Sequence, residues 1–195
     1  MRLWTIQPKS MYDVLRKDKV LHCDHTNSSC SINDTDPQVQ KSFKMGYDFI
    51  VSQMKARIGN PPDGVQYPIW LWHMDQPGIN ARPDLRKHNR YSPRPYVMME
   101  LEIPSDQVLL SNFELYHMIL NDSPIYDDYN SDEEYNAMDE WYESLPSESK
   151  AKYKLESWSK IFNINFTQDI TQATVWEIKL DYLVRVWHYV KKDII

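Results

Sequence analysis

Two stretches of this 195-residue chain bring together side chains suited to ligand chemistry. In residues 81–94, ARPDLRKHNRYSPR, the cations Arg82, Arg86, Lys87, Arg90 and Arg94 face a single acid, Asp84. Guanidinium groups are planar forks that grip phosphate or carboxylate in pairs. His88, Tyr91 and Tyr96 add stacking surfaces. The loop reads either as a clamp for a nucleotide, a nucleic-acid backbone or an acidic partner, or as a solvated segment that balances acids elsewhere in the chain. The second stretch is TQATVWEI, residues 171–178. In an extended strand it sets Gln172, Thr174 and Trp176 on one face and Ala173, Val175 and Glu177 on the other. One face then offers an amide, a hydroxyl and an indole together. This suits either a cleft that bonds and stacks a ligand or a half-polar edge strand.

Other chemistries find little support. Only four glycines are present, and no G-x-G-x-x-G or G-K-[ST] occurs, which closes the common phosphate-loop readings. G-x-S-x-G and H-E-x-x-H are also absent. His22, Cys23, His25 and Cys30 match no closed zinc spacing. Asp128, Asn130, Asp132 and Asp139 echo a calcium loop, but Glu133 stands where the sharp turn needs glycine. No metal is therefore expected. The net charge of −6 disfavours bulk nucleic-acid binding. No apolar run reaches membrane-span length, and the opening MRLWTIQPKSMYDVL lacks a signal-peptide core. The expectation is a cytoplasmic protein with free thiols.

The elements that would position these groups follow from periodicity. Residues 2–6 read as a strand, Pro8 opens a helix to about Lys17, and 19–23 return as a strand. Residues 24–36 read as a loop. From Pro37 to Ile58 the apolar residues Val39, Phe43, Tyr47, Ile50, Met54 and Ile58 step by three or four, which predicts one long amphipathic helix with a buried stripe. Gly59 and Pro61-Pro62 end it. Strands are expected at 67–74 and 96–103, with a short extension at 108–110. Asn112 caps a helix over 113–120. Residues 122–143 hold nine acids and no Lys or Arg, and read as a partly helical surface excursion. A helix over 147–162 should bury Tyr153, Leu155, Trp158 and Phe162. Residues 171–178 and 184–190 are the last strands. The class is α+β, in one domain over 1–195, with mixed small sheets.

Five segments in order, LWTIQ, QMKARIGNPPDGVQYPIWLW, RPDLR, MELEIPSDQVLLSNFELYHMILN and QATVWEI, resemble an uncharacterised bacterial family of about this length, a domain of unknown function. The likeness covers nearly the whole chain and brings no activity with it. The opening strand–helix–strand also resembles the start of ADP-ribosyltransferase-like domains, which bind NAD in a cleft between two split sheets. That second resemblance implies a polar residue on the first strand (Thr5 or Gln7), an aromatic on a middle strand (Tyr67 or Trp70), and a late Gln172 or Glu177. The first-strand His or Arg and the late E-x-E or Q-x-E pattern are absent. Under this resemblance Arg82, Arg86 and Arg90 hold phosphate, Tyr67 or Trp70 stacks on nicotinamide, and Gln172 or Glu177 acts at the ribose. It implies a toxin or phage–host conflict factor with NAD as cofactor. The alternative is a non-catalytic domain that binds RNA, a nucleotide or a protein partner.

Overall fold

A computed structural model describes residues 1–23, 36–84, 95–127, 129 and 131–189. Strand β1 (Arg2–Pro8) leads into helix α1 (Lys9–Asp18), and Lys19 reverses the chain with φ of 66° into β2 (Val20–His22). Helix α2 (Pro37–Arg57) starts on Asp36, whose carboxylate accepts from the Gln38 and Val39 amides. Proline at the first helical position needs no amide partner there. Strands β3 (Ile69–Met74), β4 (Tyr96–Glu102) and β5 (Leu109–Asn112) follow. Helix α3 (Phe113–Leu120) is capped by Asn112, whose side chain accepts from Leu115 N at 2.9 Å. Then come α4 (Asp132–Ser144), α5 (Ser147–Ser157), a 3-10 turn at Trp158–Phe162, and β6 (Thr171–Val175). The chain closes with β7 (Glu177–Lys179) and β8 (Leu183–Tyr189).

The fold is α+β. Six strands form one antiparallel sheet in the order β5-β6-β3-β1-β4-β8, and β2 pairs with β7 in a separate ribbon. A large sheet therefore stands where small mixed sheets were expected. Alternation along its strands feeds two large clusters and a smaller one of Trp4 and Met98. Leu3, Leu71, Val97, Met99, Ala173 and Val175 point to the face that carries Leu15 of α1 and Leu21 and Ile178 of the ribbon. On the other face Ile50 and Met54 of α2, Ile119 of α3, Trp158 and Trp176 form a second cluster. No helix among the described residues is long and apolar enough to cross a membrane.

Local departures from the periodic reading have physical causes. The run 171–178 breaks at Trp176, because β6 belongs to the large sheet and β7 to the ribbon. The Trp176 indole fixes that switch by donating to the Gly59 carbonyl at 2.9 Å, which ties the end of α2 to the strand break. The helix expected over 147–162 tightens at Trp158, and Leu155 is 56% exposed while Trp158 is buried. On α2 only Gly46, Ile50 and Met54 are buried. Phe43 and Tyr47 are half-buried instead, because they face a cavity. Phe43→Ala is accordingly expected to cost about 1 kcal/mol, the worth of a partly buried aromatic. A loss above about 3 kcal/mol in urea melts would place Phe43 in the packed core.

His73 on β3 carries a pH signature. Burial pushes its pKa below the ordinary value near 6.5, opposed in part by the Arg2 carbonyl 3.5 Å from Nδ1. The unfolded chain thus binds the proton more readily than the folded one, and stability should fall as pH drops below about 6.5. Urea midpoints between pH 7.5 and 5.5 should show this slope, and His73→Gln should flatten it. An unchanged slope in His73→Gln would assign the pH dependence to another group.

Candidate functional site

The site begins where two central strands part. β1 and β3 pair in register only at Trp4 and Trp72. Beyond that point the Thr5 hydroxyl donates to the Trp70 carbonyl at 3.0 Å, so a side chain bonds where the ladder would have continued. Gln7 Nε2 donates in turn to Thr5 Oγ1 at 2.9 Å. A cavity of about 580 Å³ opens along this parting, within the usual range for small-ligand sites.

The two sides of the cavity differ in chemistry. On the α2/α3 side its walls are aromatic: Tyr47 from α2, Trp70 and Trp72 from β3, and Phe113 and Tyr116 from α3. Their rings brace one another, with Trp70 4.8 Å from Tyr116 and 5.7 Å from Tyr47, and Trp72 4.9 Å from Phe113. Gln172 joins this wall because its strand neighbour is Trp72. It is 6% exposed, and its Nε2 has no partner among the described residues. The Trp70 indole nitrogen, also buried, has none either. A buried amide without a partner is costly, and such groups mark a strain reservoir or an absent ligand or water. On the opposite side Thr5, Gln7, Ser10, His22 and Cys23 stand among the apolar Met11, Leu21, Ile69 and Leu71.

His22 is held from behind. β2–β7 pairing sets it opposite Glu177, and its Nε2 lies 3.2 Å from Glu177 Oε2. Glu177 Oε1 is 3.1 Å from Lys179 Nζ. Burial alone would raise the Glu177 pKa, but hydrogen bonds from Lys179 and His22 outweigh it and hold the carboxyl below its ordinary value. The carboxylate therefore stays ionised at neutral pH.

Of the residues singled out in the sequence, Thr5, Gln7, Trp70 and Gln172 line this one cavity. The other described ones lie elsewhere. Glu177 sits behind His22 and is not part of the lining. Thr174 is buried and its hydroxyl donates to the Leu109 carbonyl, while Trp176 is spent on the Gly59 carbonyl. Tyr67 stands one ring back, edge-on to Tyr47 at 5.6 Å. Arg82 stacks on Trp187 of β8 at 4.8 Å, four strands from β6, which is roughly 19 Å of sheet width. Arg82 and Gln172 therefore do not share a cleft. Arg86 and Arg90 lie outside the described residues, as do His25, Cys30, Asp128 and Asn130. Asp139 accepts from the Tyr126 hydroxyl at 2.8 Å, and Asp132 opens α4. Among the described residues no cluster of His, Cys, Asp or Glu could hold a metal.

Sequence reasoning missed Ser10, His22, Tyr47, Phe113, Tyr116 and His117 as lining residues. For Tyr47, Phe113 and Tyr116 the one signal is aromatic content on α2 and α3, which a core stripe shares, and Ser10 and His22 carry none.

Fold and site together define an α+β protein with an aromatic-walled cavity at a parted antiparallel sheet. The chain belongs to the family described as domain of unknown function (DUF3841), whose model matches residues 2–184. No curated protein and no solved structure matches the chain significantly, and the likeness to ADP-ribosyltransferases finds no support in these comparisons.

Proposed function

We propose that this chain is a nucleotide-binding domain whose cavity takes a planar heteroaromatic ring, with the nicotinamide of NAD as the first candidate. The observation that carries the reading is Gln172, an amide buried without a partner for its nitrogen in an aromatic-walled cavity. Aromatic walls stack on any flat ring, and an amide pairs with a carboxamide or a base edge. The described lining holds no Lys, Arg, Asp or Glu, which suits the ring end of a nucleotide better than a bare anion.

Binding is favoured over turnover. ADP-ribosyl transfer from NAD needs a group to stabilise the positive charge that develops as nicotinamide leaves. Glu177 is engaged by His22 and Lys179 outside the lining, so only Gln172 is placed for such a role. Transfer by a toxin-like enzyme is the second reading, and it rests on Gln172 alone. RNA or protein recognition through the 81–94 loop is weaker again, since Arg82 is committed to Trp187.

Titration with NAD, followed by tryptophan fluorescence, tests the reading, because Trp70 and Trp72 line the cavity. Saturable quenching without nicotinamide release supports a binding domain. Release that is lost in Gln172→Ala supports transfer. No quenching at millimolar NAD removes NAD as the ligand.

A further inference from the structure

Donor groups without acceptors gather on one part of the large sheet. Register pairs Trp70 with Thr174 and Trp72 with Gln172, so Trp70 and Gln172 are diagonal neighbours on one face of β3 and β6. Such neighbours stand about 7–8 Å apart, within reach of long and aromatic side chains. Both residues line the cavity. Trp70 Nε1 and Gln172 Nε2 are each buried with no partner among the described residues, and Gln172 as a whole is more than nine-tenths buried. Ser111, directly opposite Gln172 on β5, is buried too, and its hydroxyl is likewise unpartnered. It stands outside the lining and does not take the amide hydrogens.

The chemistry of the two lining nitrogens is one-sided. An indole N–H and an amide NH2 donate and do not accept. Neither can satisfy the other, and the described lining holds no carboxylate to serve them. What completes the pair is therefore an acceptor brought into the cavity. A flat ring held between aromatic walls supplies one as a carbonyl oxygen on its edge. A ring that turns an amino group to this wall sets donor against donor.

We propose that Trp70 and Gln172 form a carbonyl-reading subsite, which makes the cavity prefer rings that carry an oxo or carboxamide oxygen over rings that carry an amino group. The proposal rests on the nucleotide reading above and names the ring edge that the cavity selects. Two sources share this chemistry: the carboxamide of nicotinamide, and the O6/N7 edge of an oxopurine.

Binding of matched ligand pairs, followed by tryptophan fluorescence and by calorimetry, tests it. The 3-acetylpyridine analogue of NAD keeps the carbonyl and loses the amino group, and the 3-aminopyridine analogue has the amino group alone. The wild type should bind NAD and the acetyl analogue within about threefold of each other, and the amino analogue at least tenfold more weakly. Inosine and adenosine differ in the same sense at position 6 and report an oxopurine. Trp70→Phe keeps a ring in the wall but removes the N–H, and Gln172→Leu removes the amide at similar volume. Each should shrink the carbonyl preference, a ratio that a loss of packing alone leaves unchanged, and either variant suffices if the other does not fold. If inosine is preferred tenfold over adenosine and no dinucleotide binds, the subsite stands and an oxopurine replaces nicotinamide. Equal affinity within both pairs, or a preference that survives in both variants, overturns the subsite and leaves the ring reading intact. If no ligand of either pair binds the wild type, both fall.

Discussion

Trp158→Ala is expected to remove about 3–5 kcal/mol of folding stability, the usual loss for a fully buried tryptophan. Trp158 is 1% exposed and sits in the second core with Phe49, Ile50 and Ile161. Its indole donates to the Ser123 carbonyl at 2.9 Å, and this bond joins the 3-10 turn to the chain just after α3. Truncation would open a cavity and leave that carbonyl without its partner. Small domains are stable by only about 5–15 kcal/mol, so the variant should stand near the edge of folding at 37 °C. Trp141, on α4 of the same helical hairpin, is 48% exposed, and Trp141→Ala should cost under about 1 kcal/mol. Urea melts of the two variants check the contrast. Equal losses would mean that the hairpin packs on a different face.

Gln172→Leu should separate stability from binding. The buried amide nitrogen has no partner, and leaving such a group unsatisfied costs about 1–3 kcal/mol. Leucine fills similar space without the polar atoms. The variant is therefore expected to match the wild type in stability or exceed it by about 1 kcal/mol. NAD affinity should fall about tenfold, near 1.4 kcal/mol. A drop of more than about 2 kcal/mol in stability would show the amide to be structurally satisfied.

The legible parts of the fold are those governed by local rules. Asn112 before Phe113 marks a helix start through capping, and it holds, as does the start at Pro37, where the structure adds Asp36 as the cap. Gly59 has φ of 94°, a left-handed conformation that glycine adopts without strain, and it ends α2 as expected. Leu155 fails because it lies two residues from Tyr153, about 200° around an α-helix, so the two cannot share one buried face. The site was half legible for a related reason. Gln172 stands out as an amide within an apolar strand, Thr5 and Gln7 are implied only by the ADP-ribosyltransferase resemblance, and all three line the cavity. Glu177 has the same appearance, yet its partner is fixed by β2–β7 pairing, which no local pattern reports. Ser10, His22 and the α3 aromatics reach the cavity only because β1 and β3 diverge after Trp4. That divergence depends on strand order, and strand order is a property of the whole chain.

The central claim is that the parting of β1 and β3 holds a nucleotide. A crystal structure of the chain soaked with NAD tests it most directly. Nicotinamide density against Trp70 and Gln172 is the expected result. An empty cavity at saturating NAD, or NAD bound on the Arg82–Trp187 side of the sheet, would contradict it.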